Sequence, residues 1–189
     1  MSVDIRRDLL PLLNMGFHLF AVDSPETEHC TGYGAGHDRA TCTERGKHPA
    51  VPKWGEAASN NLQDIADSFL DGPRNVGVAC GPSGLIVLDQ DNEDGLARLA
   101  ADQGETIPAT YTVRTARGWH YYFRAPAGVV IGNSVRLKPY GVDVRGGKGA
   151  GGYVVGAGSL HATGVVYTAD SDTSVAPLPQ WLISLLTEP

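Results

Sequence analysis

Asp89 and Asp91 stand two residues apart where the apolar run Leu85-Ile86-Val87-Leu88 stops in acid. Side chains alternate along a strand, so residues two apart point the same way and both carboxylates are expected to face one cation or a pair of cations. Carboxylate oxygens suit hard cations, and magnesium or manganese held by a few acids plus substrate phosphates is a common arrangement for nucleotidyl transfer. Asp143 offers a third carboxylate within Gly141-Val142-Asp143-Val144-Arg145, where the flanking valines mark a strand that would fix its position. Acidic pairs of this spacing also occur in solvated turns and calcium loops. The calcium alternative is weak, because the sixth position counted from Asp89 is Asp94 where an EF-hand loop needs glycine, and the helix-loop-helix frame is missing.

Basic groups surround these acids in the chain. Residues 111–148 hold Arg114, Arg117, Arg124, Arg136, Lys138, Arg145 and Lys148 against the single acid Asp143, a local charge of +6 in a protein whose formal total is −6. A phosphate-rich ligand would prefer that segment; solvated charges at a strand edge are the alternative. His120 sits inside it, near the start of a strand, where an imidazole can donate to the triphosphate of a nucleotide or serve as an ordinary buried histidine. Arg145-Gly146-Gly147-Lys148-Gly149-Ala150-Gly151-Gly152 joins two cations to five glycines, so backbone amides can approach an anion, or the segment is simply a flexible hairpin. It lacks the Gly-Lys-Ser/Thr ending of a Walker loop. His161 follows another glycine-containing turn and is expected to line the same cavity or to be structural.

A second constellation lies upstream. Cys30, His37, Cys42 and His48 supply two sulfurs and two nitrogens, a donor set suited to closed, tetrahedral structural zinc, with His29 as a spare. Their spacing is not that of a standard finger. The alternative is a pair of thiols among exposed histidines.

The elements that must position these groups follow from pattern. A first helix capped by Ser2 is expected to reach about Asn14, with Ile5, Leu9, Leu12 and Leu13 at helical spacing. Further helices are expected near 61–70, 94–103 and 179–187, and strands near 17–22, 75–80, 85–89, 111–115, 119–124, 141–145, 153–158 and 165–168. The strands at 75–80 and 85–89, joined by Gly81-Pro82-Ser83-Gly84, read as a tight hairpin. The resulting class is α+β, built on a mainly antiparallel sheet with helices on one side. Residues 23–60 lack periodicity and are long for an unsupported loop, so an insert stapled by metal is expected there, with the catalytic sheet at 74–170.

The 189 residues suit one compact domain spanning 1–189. Three cysteines are too few for a secreted disulfide framework, and no apolar run or basic leader marks a membrane span or signal, so a soluble cytoplasmic protein with no membrane partner is expected.

Together these residues resemble the bifunctional primase-polymerase domain of the archaeo-eukaryotic primase superfamily, of the phage and plasmid replication type. The most specific stretch runs from Asn75 to Asp91, similar to the family's glycine-rich turn leading into its first acidic motif, while Gly46-Lys47-His48-Pro49 and Lys53-Trp54 resemble its upstream signature. The resemblance makes His120 the histidine of the second motif and Asp143 the acid of the third. That second motif usually reads Ser-x-His and here reads Gly118-Trp119-His120, so its hydroxyl is missing or comes from elsewhere. The resemblance implies a core like an RNA-recognition motif, a single-stranded DNA template, dNTP or NTP substrates, a fused or associated helicase, and a bacterial host cytoplasm. Competing functions are a non-catalytic single-stranded DNA-binding module, a metal-dependent nuclease, and a replication-initiation nickase. The last should carry a His-x-His pair, which the chain lacks.

Overall fold

The computed structural model describes residues 3–28, 30, 38, 40–147, 151–170 and 173–188. Ser2, His29, His37 and Lys148 lie outside the described residues. Asp4 opens the first helical segment: its carboxylate accepts from the Arg7 N–H at 2.8 Å while its own N–H donates to Asp8 at 2.7 Å. This reciprocal cap starts a wide turn at Ile5–Leu9 that tightens into α1, Leu10–Asn14.

There follow β1 (Leu19–Asp23), α2 (Trp54–Ala57) and α3 (Leu62–Leu70), the last capped by Asn61, whose side chain accepts from the Gln63 N–H. Next come β2 (Arg74–Ala79), β3 (Leu85–Gln90), α4 (Gly95–Gln103), β4 (Thr112–Arg114) and β5 (Trp119–Arg124). The chain continues through β6 (Val142–Arg145), β7 (Tyr153–Val155) and the two-residue strands β8 (Thr168–Ala169) and β9 (Ala176–Pro177), then α5 (Gln180–Thr187).

The fold is α+β with antiparallel sheets, as the pattern predicted. Its strands divide between two sheets, one ordered β1-β2-β7 and the other β6-β3-β5-β4-β8, with β9 pairing the end of β5 in parallel. The expected hairpin of residues 75–80 and 85–89 is therefore corrected. β2 spends both edges on β1 and β7, and β3 spends both on β5 and β6, so the turn at 80–84 passes the chain from one sheet to the other. A glycine-rich turn between two apolar runs looks the same in sequence whether or not the runs pair, since both then lie buried.

Alternation along β3 sends its side chains to two cores. Ile86 and Leu88 pack with Leu96, Leu99 and Leu182 of α4 and α5, while Leu85 and Val87 pack with Tyr122 and with Leu19, Val76 and Val78 of the other sheet. The larger sheet thus carries α4 and α5 on one face and meets the smaller sheet on the other. Asp89 continues the Leu85–Val87 series, so the acid emerges on the side that faces the smaller sheet.

Candidate active site

Three strands bring the principal groups into one row. Asp89 on β3 is directly opposite His120 of β5 on one side and Asp143 of β6 on the other. Residues opposite each other in an antiparallel pair share a face of the sheet. His120 Nε2 lies 3.3 Å from Asp89 Oδ1, and a terminal nitrogen of Arg145 lies 3.9 Å from Asp89 Oδ2 and 3.1 Å from Asp143 Oδ2. Asp91 stands just beyond the strand, its N–H donating to the Gly141 carbonyl and its carboxylate 3.2 Å from Arg117.

Burial by itself would raise the Asp89 carboxyl. The charge and hydrogen bond of His120, with Arg145 and Lys47 behind them, outweigh burial and hold it below the usual carboxylate range. Asp89 is therefore an anion held among cations.

A cavity of about 340 Å³ is lined by Asp89, Asp91 and His120 together with Arg117, Arg145 and His161, while Asp143, one strand further on, is not part of its lining. Further lining comes from the segment before α2 with Glu44, Lys47 and His48, from Trp54 at the start of α2, and from Tyr153 of the smaller sheet. Trp54 and Tyr153 meet edge to face at 4.9 Å and both contact Phe20. His161 stacks on Tyr167, and burial, then Lys47 and Arg117, lower its pKa so that the neutral ring is favoured.

The basic segment divides. Arg117 and Arg145 reach the cavity. Arg114 lies over the Trp119 ring at 4.4 Å, Arg124 donates to the Met15 carbonyl at 2.8 Å, and Arg136 donates to the Leu185 carbonyl at 2.7 Å. Arg124 thus ties β5 to the end of α1, and Arg136 ties the loop before β6 to α5. Charge along the chain could not separate these uses, because it carries no information on which strand end faces the cavity.

Glycine has a local cause at two motif positions. A Cβ at Gly118 would collide with the Gln90 carbonyl, so the second motif can carry no side chain there. Its N–H donates to Thr115 Oγ1 at 3.0 Å, and Thr115 lines the cavity, which brings a hydroxyl-bearing residue to the same turn from three positions upstream. In the later glycine run, a Cβ at Gly146 would strike the Ile131 carbonyl, so close backbone packing already demands that glycine.

Cys30, Cys42 and His48 form the other cluster. Cys42 Sγ lies 3.4 Å from Cys30 Sγ and 3.2 Å from His48 Nε2, and the three ligand atoms all fall within 4.8 Å of one another. Two thiols and an imidazole so gathered suit zinc. Among the described residues this is the one set of three such donors so tightly grouped; the acids Asp89, Asp91 and Asp143 are not. Arginine side chains contact all three acids instead.

Lys47, Glu44, Thr115, Asn133 and Tyr153 border the cavity without having been assigned a role from sequence. For Lys47 a signal was present in Gly46-Lys47-His48-Pro49, but nothing in that string says which way the lysine points.

No curated protein matches the chain. The family model described as bifunctional DNA primase/polymerase, N-terminal, matches residues 9–181, and the chain belongs to that family.

Proposed function

We propose that this protein performs template-directed nucleotidyl transfer in primer synthesis and extension, with Asp89, Asp91 and Asp143 as the acids that hold divalent cations beside a nucleoside triphosphate. Membership of the family gives a DNA primase/polymerase-type function as the class. The single observation that carries the finer reading is the in-register row His120–Asp89–Asp143, of which His120 and Asp89 line a cavity large enough for a nucleotide.

The donors fit a hard cation. Two part-exposed carboxylates opposite each other on adjacent strands already share one positive group, the Arg145 guanidinium, so the site is organised around positive charge. Magnesium or manganese bound there would lower the pKa of the attacking 3′-hydroxyl and offset charge on the α-phosphate and the leaving pyrophosphate. His120 orients the Asp89 carboxylate and lies at the cavity wall, next to the space for the triphosphate. Arg117 and Arg145 can exchange their carboxylate partners for phosphate oxygens, to which arginine binds in bidentate fashion. His161 and Lys148 are assigned to the same phosphates, and Arg114 on its tryptophan to the approaching single-stranded template.

Zinc at Cys30, Cys42 and His48, completed by His37, is proposed to clamp the insert at 23–60 and to take no part in chemistry. In this reading residues 1–189 form one domain. Incorporation of labelled dNTP on a single-stranded template, with and without primer and with magnesium or manganese, tests the proposal. Synthesis that depends on template and metal supports it; template binding without incorporation would leave only a DNA-binding module, and template cleavage a nuclease.

A further inference from the structure

We propose that Lys47 is a phosphate-binding residue of this cavity, carried on a fixed strap at residues 46–48 and exchanged from Glu44 to substrate. The inference deepens the nucleotidyl-transfer reading and rests on it.

The strap is held from three sides. Asn75, itself 1% exposed, donates to the Gly46 carbonyl at 2.9 Å; Tyr153 donates to the Lys47 carbonyl at 2.7 Å; and the Asp23 N–H donates to the His48 carbonyl at 2.8 Å. Gly46 adopts φ +81°, and a Cβ there would press on Pro25 at 2.8 Å. Only glycine enters this turn without strain. Asn75 also exchanges two hydrogen bonds with the Leu160 backbone, at 2.8 Å each, so the same side chain fixes the strap and the loop that carries His161.

Such anchoring exceeds what a surface lysine needs. Tyr153 and Asn75 are spent on backbone carbonyls of the strap, and the lysine between them lines the cavity that Arg145 and Arg117 also line. Its charge acts on Asp89 and on His161 across that space. Arg145 and Arg117 are both engaged with the acids proposed to hold cations. Lys47 instead pairs at 2.8 Å with Glu44, the two side chains being 29% and 57% exposed. A pair this open to water is weak and readily exchanged for a phosphate, whose charge is larger. Lys47 is thus a cavity cation whose ion pair is with Glu44 and not with the acids.

The test is equilibrium binding of dATP and of inorganic tripolyphosphate to the full chain by calorimetry. Lys47→Ala and Lys47→Met are expected to raise both Kd values about tenfold or more, while Lys47→Arg stays within a few-fold of the parent. Glu44→Gln is expected to tighten tripolyphosphate binding a few-fold. Lys47→Met keeps the aliphatic stem and Glu44→Gln keeps the lysine, so both remain readable should Lys47→Ala fail to fold. Unchanged Kd values in Lys47→Met with an unchanged near-UV spectrum overturn the role of Lys47. An Asp89→Ala variant assayed in parallel for dNTP incorporation separates the two ideas: its inactivity beside normal binding by Lys47→Met removes only the lysine, and its activity removes the nucleotidyl-transfer site itself.

Discussion

Asp89 and Asp143 face each other across β3 and β6 in exact register, and a single Arg145 side chain reaches both carboxylates. Arg145→Ala leaves the two acids without their shared cation. Mutual repulsion should then lower stability in metal-free buffer by about 1–2 kcal/mol, and added magnesium or manganese should restore more of that loss than in the parent protein. Thermal melts at several metal concentrations measure this.

His120→Ala removes the hydrogen bond and charge that oppose burial at Asp89. The folded Asp89 carboxyl lies below its unfolded value, so its contribution is present above about pH 4 and lost as pH falls through the folded value. Without His120 burial prevails and the carboxyl pKa rises. The acid limb of the stability profile should move to higher pH, with about 1–3 kcal/mol lost near neutrality. Denaturant unfolding from pH 3 to 7 in both proteins reads the shift; coincident acid limbs contradict it.

Much of the fold is legible in sequence, and the reasons are particular. Leu62, Ile65, Ala66 and Phe69 mark α3 by their shared apolar face, and alternation marks β4 and β5 as a pair. The place of Asp89 in the fold was legible too, because it follows the apolar run Leu85-Ile86-Val87-Leu88 one residue before β3 ends at Gln90. Pairing partners were not legible. Nothing in Ala79-Cys80-Gly81 reveals that β2 and β3 enter different sheets, and that choice creates the cavity between them. Lys47 and Tyr153 are 106 residues apart and meet only because β7 joins β2.

Burial raises the pKa of Tyr111, Tyr153 and Tyr167 to about 12, and it also raises that of fully enclosed Tyr122 well above the usual phenol value. A folded value above the unfolded one, near 10, means the neutral rings favour folding below about pH 10 and that this advantage fades as pH rises toward 12. Absorbance at the phenolate band should show these tyrosines ionising together with unfolding. Early, independent ionisation of all seven tyrosines would contradict the packing.

Stripping metal from the Cys30–Cys42–His48 cluster should lower the melting temperature by several degrees and expose two thiols to a thiol reagent. Cys80 should stay silent until unfolding, since it is buried and its pKa is pushed up to about 12. Elemental analysis for zinc and thiol counts before and after chelation check this. A protein purified without zinc, with a chelator-insensitive melt, would remove the clamp.

Asp89, Asp91 and Asp143 are proposed to operate a nucleotidyl-transfer site. Its most direct measurement is template-directed dNTP incorporation by the folded Asp89→Ala, Asp91→Ala double variant beside the parent, in magnesium and in manganese. Loss of incorporation by at least a hundredfold, with an unchanged melt and template binding retained, is the predicted result. Incorporation at the parental rate by that variant would contradict it.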